Sequence, residues 1–287
     1  MSISLSSPQP SYSFSWLDLL FQGVQVLQLS NLSDAQEVKL GRQINRQLLQ
    51  QGKVRLIRNP ALNQYLNQIG QRLASTSDRP NIPYTFVIVN DRDINAFATM
   101  GGFVYINVGT ITAADDEAEL ASVLAHEIGH IAGRHALEQM KNAAISQGLL
   151  SAAGLNESTI VQLGVQLAVD LPNSREAEFD ADRRGLLNLQ RAGYAPVGAI
   201  NFLQKLMRQG NSVPTLLNTH PATTDRLAAL EQEINPQTAN LGDGLDKQAY
   251  HRQIRTLLSR KTVGINLNRG SDKMTAIATL QIPSSIL

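Results

Sequence analysis

Two histidines four residues apart with a glutamate directly after the first, His126-Glu127-Ile128-Gly129-His130, are the residues of this sequence best suited to chemistry. On a helix, positions i and i+4 share a face, so both imidazoles can address one metal ion. Glu127 is rotated by about 100° from His126, which sets its carboxylate beside the metal as a base and leaves the ligands clear. The arrangement suits hydrolysis with zinc; its bland counterpart is a buried helix that happens to carry two histidines. A catalytic zinc takes three protein ligands and keeps one open position, so this motif is one ligand short. The chain contains no cysteine, and the third ligand must therefore be His, Asp or Glu. The stretch from Arg175 to Arg184 is dense in carboxylates. Glu178 and Asp182 lie one turn apart there, so one face can offer Glu178 to the metal while Asp182 accepts the second N–H of a ligating imidazole. Glu176 is the competing ligand.

Two further histidines need weighing. His135 follows Gly133-Arg134 and reads as a polar group toward the helix C-terminus in preference to a ligand. His220 is held in an extended conformation by Pro221, which is expected to start a helix over 222–234 carrying Arg226.

The elements that must position these groups follow from periodicity and punctuation. Asp116 reads as the N-cap of the histidine-bearing helix, with Glu119 as its capping-box partner and Leu120, Val123, Leu124, Ile128 and Ile131 as the buried stripe. Two scaffold helices precede it, one starting at Ser33 or Asp34 and closed by Gly52, the other starting at Asn59-Pro60. Between them and the histidines, Tyr84 to Val89 and Phe103 to Val108 read as strands, most simply antiparallel neighbours, with Gly101-Gly102 as a turn or bulge. A strand here can wall a cleft, and an exposed edge can bind an extended peptide. Residues 140–171 are almost uncharged and read as a hydrophobic hairpin packed on the domain, or as a lid that also meets a membrane. A helix from Pro172-Asn173-Ser174 to about Gly193, another after Pro196, and a helical stretch over 247–260 complete the set, with strands expected over 263–267 and 274–282.

The chain has 287 residues and a net charge of +1, which points away from nucleic acid and polybasic membrane contacts. Residues 1–13 read as disordered and 16–29 as an amphipathic helix that packs on the domain or touches a membrane. The start lacks a signal-peptide pattern, so either a leader has been trimmed or the protein is not exported. No window approaches the roughly 18 apolar residues of a spanning helix, and a soluble, at most peripheral, protein is expected.

Together, His126-Glu127-Ile128-Gly129-His130 with Arg134-His135, the Arg-Glu-x-Glu-Phe-x-Ala-Asp-Arg string from Arg175 to Arg183, and Thr219-His220-Pro221 with Asp225-Arg226 resemble the M48 family of zinc metallopeptidases, the Ste24-like and HtpX-like gluzincins. The likeness is greatest to their soluble bacterial periplasmic branch of BepA-like and LoiP-like proteases, and it spans roughly 33–234. Asn95 to Gly102 also matches the family, with Met100 where Pro is frequent. Neither the spanning helices of HtpX-like and Ste24-like members nor the tetratricopeptide repeats of BepA are expected, and the sequence reads as a minimal protease domain.

This resemblance implies zinc, one per chain, on His126, His130 and Glu178, with Glu127 as catalytic base, Asp182 behind a ligand, and His220 and Arg226 as contacts to substrate, oxyanion or metal. It further implies a mostly helical α+β zincin-like domain with a small antiparallel sheet beside the histidine helix. The expected organisation is an extension over 1–32, a metallopeptidase domain over 33–235 and a packed C-terminal extension over 236–287. The function expected is a zinc endopeptidase acting on unfolded or misfolded polypeptides in protein quality control, in the periplasm or cell envelope, with cytoplasm as the alternative. The rival reading is a weakly proteolytic, chaperone-like assembly factor that binds unfolded outer-membrane clients through 140–171.

Overall fold

The computed structural model describes residues 31–147, 157–170, 172–208, 214–221 and 223–259. The helix expected over 16–29, the strands expected over 263–267 and 274–282, and the centre of the 140–171 segment lie outside these residues.

Helix α1 (Asp34–Gln50) begins in a capping box: the Ser33 hydroxyl accepts from the Gln36 N–H, and the Gln36 side chain accepts from the Ser33 N–H. Leu40, Ile44 and Leu48 form its buried stripe. Helix α2 (Pro60–Thr76) is capped by Asn59, and Pro60 sits in the first turn, where a missing N–H leaves no bond unmade. Its Leu62, Leu66, Ile69 and Leu73 face inward.

Three strands follow: β1 (Thr85–Val89), β2 (Ala96–Thr99) and β3 (Phe103–Asn107), in the order β1-β3-β2. The sheet is mixed, and the expectation that β1 and β3 are antiparallel neighbours is corrected: they pair in parallel, Thr85 opposite Phe103 and Val89 opposite Asn107. The reason lies between them. Gly101 and Gly102, at φ 74° and 94°, make a tight reversal that only glycine adopts without strain. That reversal folds β2 back antiparallel on β3, with Thr99 opposite Phe103. With β2 on one edge, β3 meets β1 on the other, now pointing the same way. Every residue of β3 is buried. Val104 and Ile106 join one core with α2, while Phe103 and Tyr105 join another with α1.

After a short helix α3 (Val108–Ala113) comes the central α4 (Glu117–Ala132), capped by Asp116, which accepts from the Glu119 N–H at 2.9 Å. The whole expected stripe is buried. Gly133 ends the helix and Arg134 takes a left-handed φ of 55°, so His135 does not extend α4. It opens α5 (His135–Ser146), which turns back under the site. Helix α6 (Glu157–Asp170) packs on α1 and α5 through Leu163, Val165 and Leu167. The described part of 140–171 thus turns apolar groups into the second core, and no helix among the described residues is long and apolar enough to cross a membrane.

Helix α7 (Arg175–Arg191), capped by Ser174, lies against α4. Two glycines set how closely. A Cβ on Gly129 would stand 2.6 Å from the Ala181 carbonyl oxygen, and one on Gly185 would stand 3.0 Å from the His126 nitrogen. Helix α8 (Val197–Arg208) covers the other flank of α4. A single turn α9 (Leu216–Thr219) leads into α10 (Thr224–Glu233). The latter starts later than expected from Pro221, because Thr223 supplies the cap by accepting from the Arg226 N–H. Helix α11 (Lys247–Ser259) buries Tyr250, Ile254 and Leu257 in the core of α2 and α4.

Candidate metal centre

Helix α4 turns His126 and His130 toward α7, and the close helix contact brings Glu178 up to both. The four side chains His126, His130, Glu178 and His220 place one donor atom each within 4.8 Å of all the others. His126 Nε2 lies 3.0 Å from His130 Nε2, and Glu178 Oε1 lies 3.3 Å from His130 Nε2. His220, the residue that caps α9, brings Nδ1 to 3.0 Å from Glu178 Oε1 and 3.3 Å from His126 Nε2.

Hydrogen bonds behind the cluster fix which nitrogens carry protons. Asp182 Oδ1 is 2.9 Å from His126 Nδ1, so that nitrogen donates and Nε2 keeps its lone pair. Asp180 Oδ2 is 3.2 Å from His135 Nε2, which donates to it and leaves His135 Nδ1 as an acceptor. His130 Nδ1, 2.9 Å away, donates to that acceptor, so His130 Nε2 also keeps its lone pair. Two lone pairs and a carboxylate then face one point in a buried pocket, an arrangement that repels itself unless a cation sits among them. The donor set therefore fits a metal ion of the kind imidazole and carboxylate bind.

The local electrostatics follow from the same contacts. Burial works against the His126 imidazolium, but Asp182 and Glu178 outweigh it and carry its pKa up to about 10, so a proton and a metal ion compete for the Nε2 lone pair. Burial drives His130 down to about 3 against the pull of Glu178. Burial opposes the Glu178 carboxylate too, yet His220, His126 and His130 hold it well below the usual range. Arg226 is itself buried; it forks onto Asp182 at 2.6 and 2.7 Å and reaches Glu178 at 2.6 Å. A fourth contact, to the Pro221 carbonyl at 2.9 Å, leaves little of its guanidinium uncommitted.

Glu127 stands apart. It is fully buried, and among the described residues neither carboxylate oxygen has a hydrogen-bond partner; His220 Nε2 stands 3.6 Å away. Burial raises its pKa, opposed by His220 and His126. The structure brings together His126, Glu127, His130, Glu178, Asp182, His220 and Arg226. It leaves Glu176 exposed, on a different face of α7 from Glu178.

Sequence reasoning missed three residues here. His135 and Asp180 back His130, but only the left-handed Arg134 reveals it, and nothing in the linear spacing announces that turn. Asn173, just ahead of the α7 cap, points Nδ2 at His220 Nδ1 from 3.2 Å and donates its backbone N–H to Thr219. Its position between Pro172 and the cap Ser174 was the available signal.

Fold and site together define a metallopeptidase domain. Residues 60–234 match the model of Peptidase family M48, and the chain belongs to that family. It is 35% identical over 222 residues to the beta-barrel assembly-enhancing protease of Escherichia coli K12, covering 72% of this chain and 45% of that protein. It is 34% identical over 163 residues to the mitochondrial metalloendopeptidase OMA1 of Arabidopsis thaliana, 55% of this chain and 33% of the relative. It is 27% identical over 227 residues to the metalloprotease LoiP of Escherichia coli K12, 76% of this chain and 88% of the relative. The chain thus spans less than half the length of the assembly-enhancing protease it matches.

Proposed function

We propose that this chain is a zinc endopeptidase that cleaves unfolded polypeptides, with His126, His130 and Glu178 as the metal ligands and Glu127 as the general base. The observation that carries it is the convergence of two imidazole lone pairs and a carboxylate beside a buried acid whose oxygens accept no hydrogen bond among the described residues. When bound, zinc supplies Lewis acidity to a water and to the scissile carbonyl at neutral pH. Glu127 accepts the proton from the attacking water at a carboxylate oxygen and hands it to the leaving amine. Its raised pKa suits a group that must hold that proton between the two transfers. Asp182 keeps His126 in the tautomer that ligates, and Arg226 holds Asp182 and Glu178 in place; this makes Arg226 a positioning residue. Edge strand β2 lies beside Glu127 and His130 along one cleft and offers main-chain groups to an extended substrate.

The assembly-enhancing relative is named for β-barrel assembly, and on that likeness the reading extends to quality control of misfolded proteins in the bacterial envelope. A second reading has one observation in its favour: His220 Nδ1 lies inside the donor cluster, where it would fill the open position and leave a latent protease or an assembly factor that binds clients without cutting them.

Casein digestion by the zinc-loaded chain tests both readings, run beside Glu127→Gln, a chelated sample and His220→Ala. Cleavage by the wild type alone of the first three supports the peptidase, and undiminished cleavage by Glu127→Gln overturns the role of Glu127. A silent wild type with an active His220→Ala identifies latency. If neither cuts while zinc is bound, the binding role stands.

A further inference from the structure

Attack by water on a peptide carbonyl builds negative charge on its oxygen, and a protein that catalyses this step gains most from a donor already aimed at that charge. Arg226 is committed to Asp182, Glu178 and the Pro221 carbonyl. Asn173 is less so. Its backbone N–H donates to the Thr219 carbonyl at 2.9 Å, which pins the residue just ahead of the α7 cap. Its side chain is oriented from α5, where Gln139 Nε2 donates to Asn173 Oδ1 at 2.9 Å and to the Pro172 carbonyl at 3.1 Å. The reversed amide would set two N–H donors against each other, so the Nδ2 end is the one that enters the site. It stands 3.2 Å from His220 Nδ1 and 3.5 Å from His130 Nε2. Neither nitrogen holds it firmly. His220 Nδ1 is nearer to Glu178 Oε1, at 3.0 Å, and while it donates there it has no lone pair for Asn173. The His130 lone pair is one that the metal would take. The half-buried Asn173 is thus left with an aimed N–H donor in the wall of the cleft that also contains Glu127, His130 and edge strand β2.

We propose that Asn173 is a catalytic residue that donates a hydrogen bond to the developing oxyanion, and that Gln139 is the positioning residue that keeps its amide turned toward the cleft. The inference rests on the peptidase reading and deepens it. The water oxygen bonds to the carbonyl carbon, one water proton passes to Glu127, and the carbonyl π pair moves onto the oxygen that faces Asn173. When the C–N bond breaks, that pair re-forms the carbonyl and Glu127 gives its proton to the amine; the other water proton leaves with the product acid. Asn173 bonds more strongly to the anion than to the neutral carbonyl, so its contribution belongs to the transition state.

The test pairs kinetics on fluorescent casein with two binding measurements on the zinc-loaded chain. Asn173→Ala should lower kcat about 100-fold or more with KM changed by less than about threefold. Gln139→Glu accepts from Asn173 Nδ2, turns Oδ1 into the cleft and should cost as much; Gln139→Lys, which still donates to Oδ1, should keep most of the activity. In the Asn173→Ala background Gln139→Glu should add nothing. An N-phosphoryl-Leu-Trp dipeptide, whose tetrahedral anion resembles the attacked carbon, should bind Asn173→Ala about 100-fold more weakly than wild type, while labelled casein should bind Glu127→Gln equally with and without Asn173→Ala. Zinc content and a thermal melt accompany each variant, and Gln139→Glu carries the test if Asn173→Ala does not fold. A raised KM at unchanged kcat, or equal dipeptide binding, overturns the proposal while the peptidase reading stands. A gain in kcat also overturns it and makes Asn173 a holder of His220. If the wild type never cleaves but dipeptide binding still depends on Asn173 and on Gln139, the peptidase reading fails and the anion donor stands. A chain that neither cleaves nor binds the dipeptide sinks both.

Discussion

Glu178 and Glu127 are both buried carboxylates within reach of the same histidines, yet their removal should leave different signatures. Glu178→Ala takes away a donor and should weaken zinc retention by roughly 100-fold or more in competition with a chelator, because it also leaves Arg226 buried without one of its two acidic partners. Glu127→Gln should bind zinc as the wild type does while losing most turnover, a difference read by pairing metal analysis with casein digestion. His135 offers a subtler case. His135→Leu should lower zinc affinity roughly 10–100-fold by releasing the His130 tautomer, and His135→Gln, which can still accept from His130 and donate to Asp180, should recover part of the loss. If His135→Leu binds zinc as tightly as the wild type, the relay through Asp180 has no role. The i, i+4 pair and its glutamate were legible in the sequence because they belong to one helix and need no tertiary information. His135 was not, since a single left-handed residue separates it from the helix it seemed to extend.

At the scale of elements, the α4–α7 contact governs the site, and Gly129 is its narrowest point. Gly129→Ala would drive a methyl against the Ala181 carbonyl, and since backbone cannot yield cheaply, a loss of about 1–3 kcal/mol is expected. Weaker zinc binding should accompany it as Glu178 moves away from the histidines; an unchanged melting temperature would show that the helices can slide apart freely. The other end of α7 is tied to the loop after α2, where Arg191 and Arg184 hold the Asp78 carboxyl below its ordinary value, against a smaller opposing effect of burial. A depressed carboxylate stabilises the fold above its unfolded value of 3.8 and loses that contribution as pH falls through the lower folded value. Melting temperatures of the wild type should therefore fall more than those of Asp78→Asn between neutral pH and the acid side of that value, and parallel curves would count against the linkage. Helix starts at Ser33, Asn59, Asp116 and Ser174 could be read from the sequence because caps are local chemistry. The parallel β1-β3 pairing could not, because it depends on which edge β2 occupies, and β2 was hidden in a stretch whose glycines signalled only a turn.

For the molecule as a whole, periodicity disclosed that α4 is central, but it could not say which faces of α7 and α8 meet it. A ligand that binds the folded chain alone raises its stability by mass action, about 2.7 kcal/mol at a hundredfold excess over Kd. Saturating zinc should thus raise the melting temperature, EDTA should reverse the gain, and the His126→Ala chain should show neither; a zinc-independent melt of the wild type would place the metal elsewhere or nowhere. One consequence of drawing ligands from α4 and α7 lies outside catalysis. His130 and Glu178 close a loop of about fifty residues, the span over which a covalent tie restricts an unfolded chain by several kcal/mol. In a chain without cysteine, the metal would be the cross-link, indifferent to thiols and oxidants and released by acid or chelators instead.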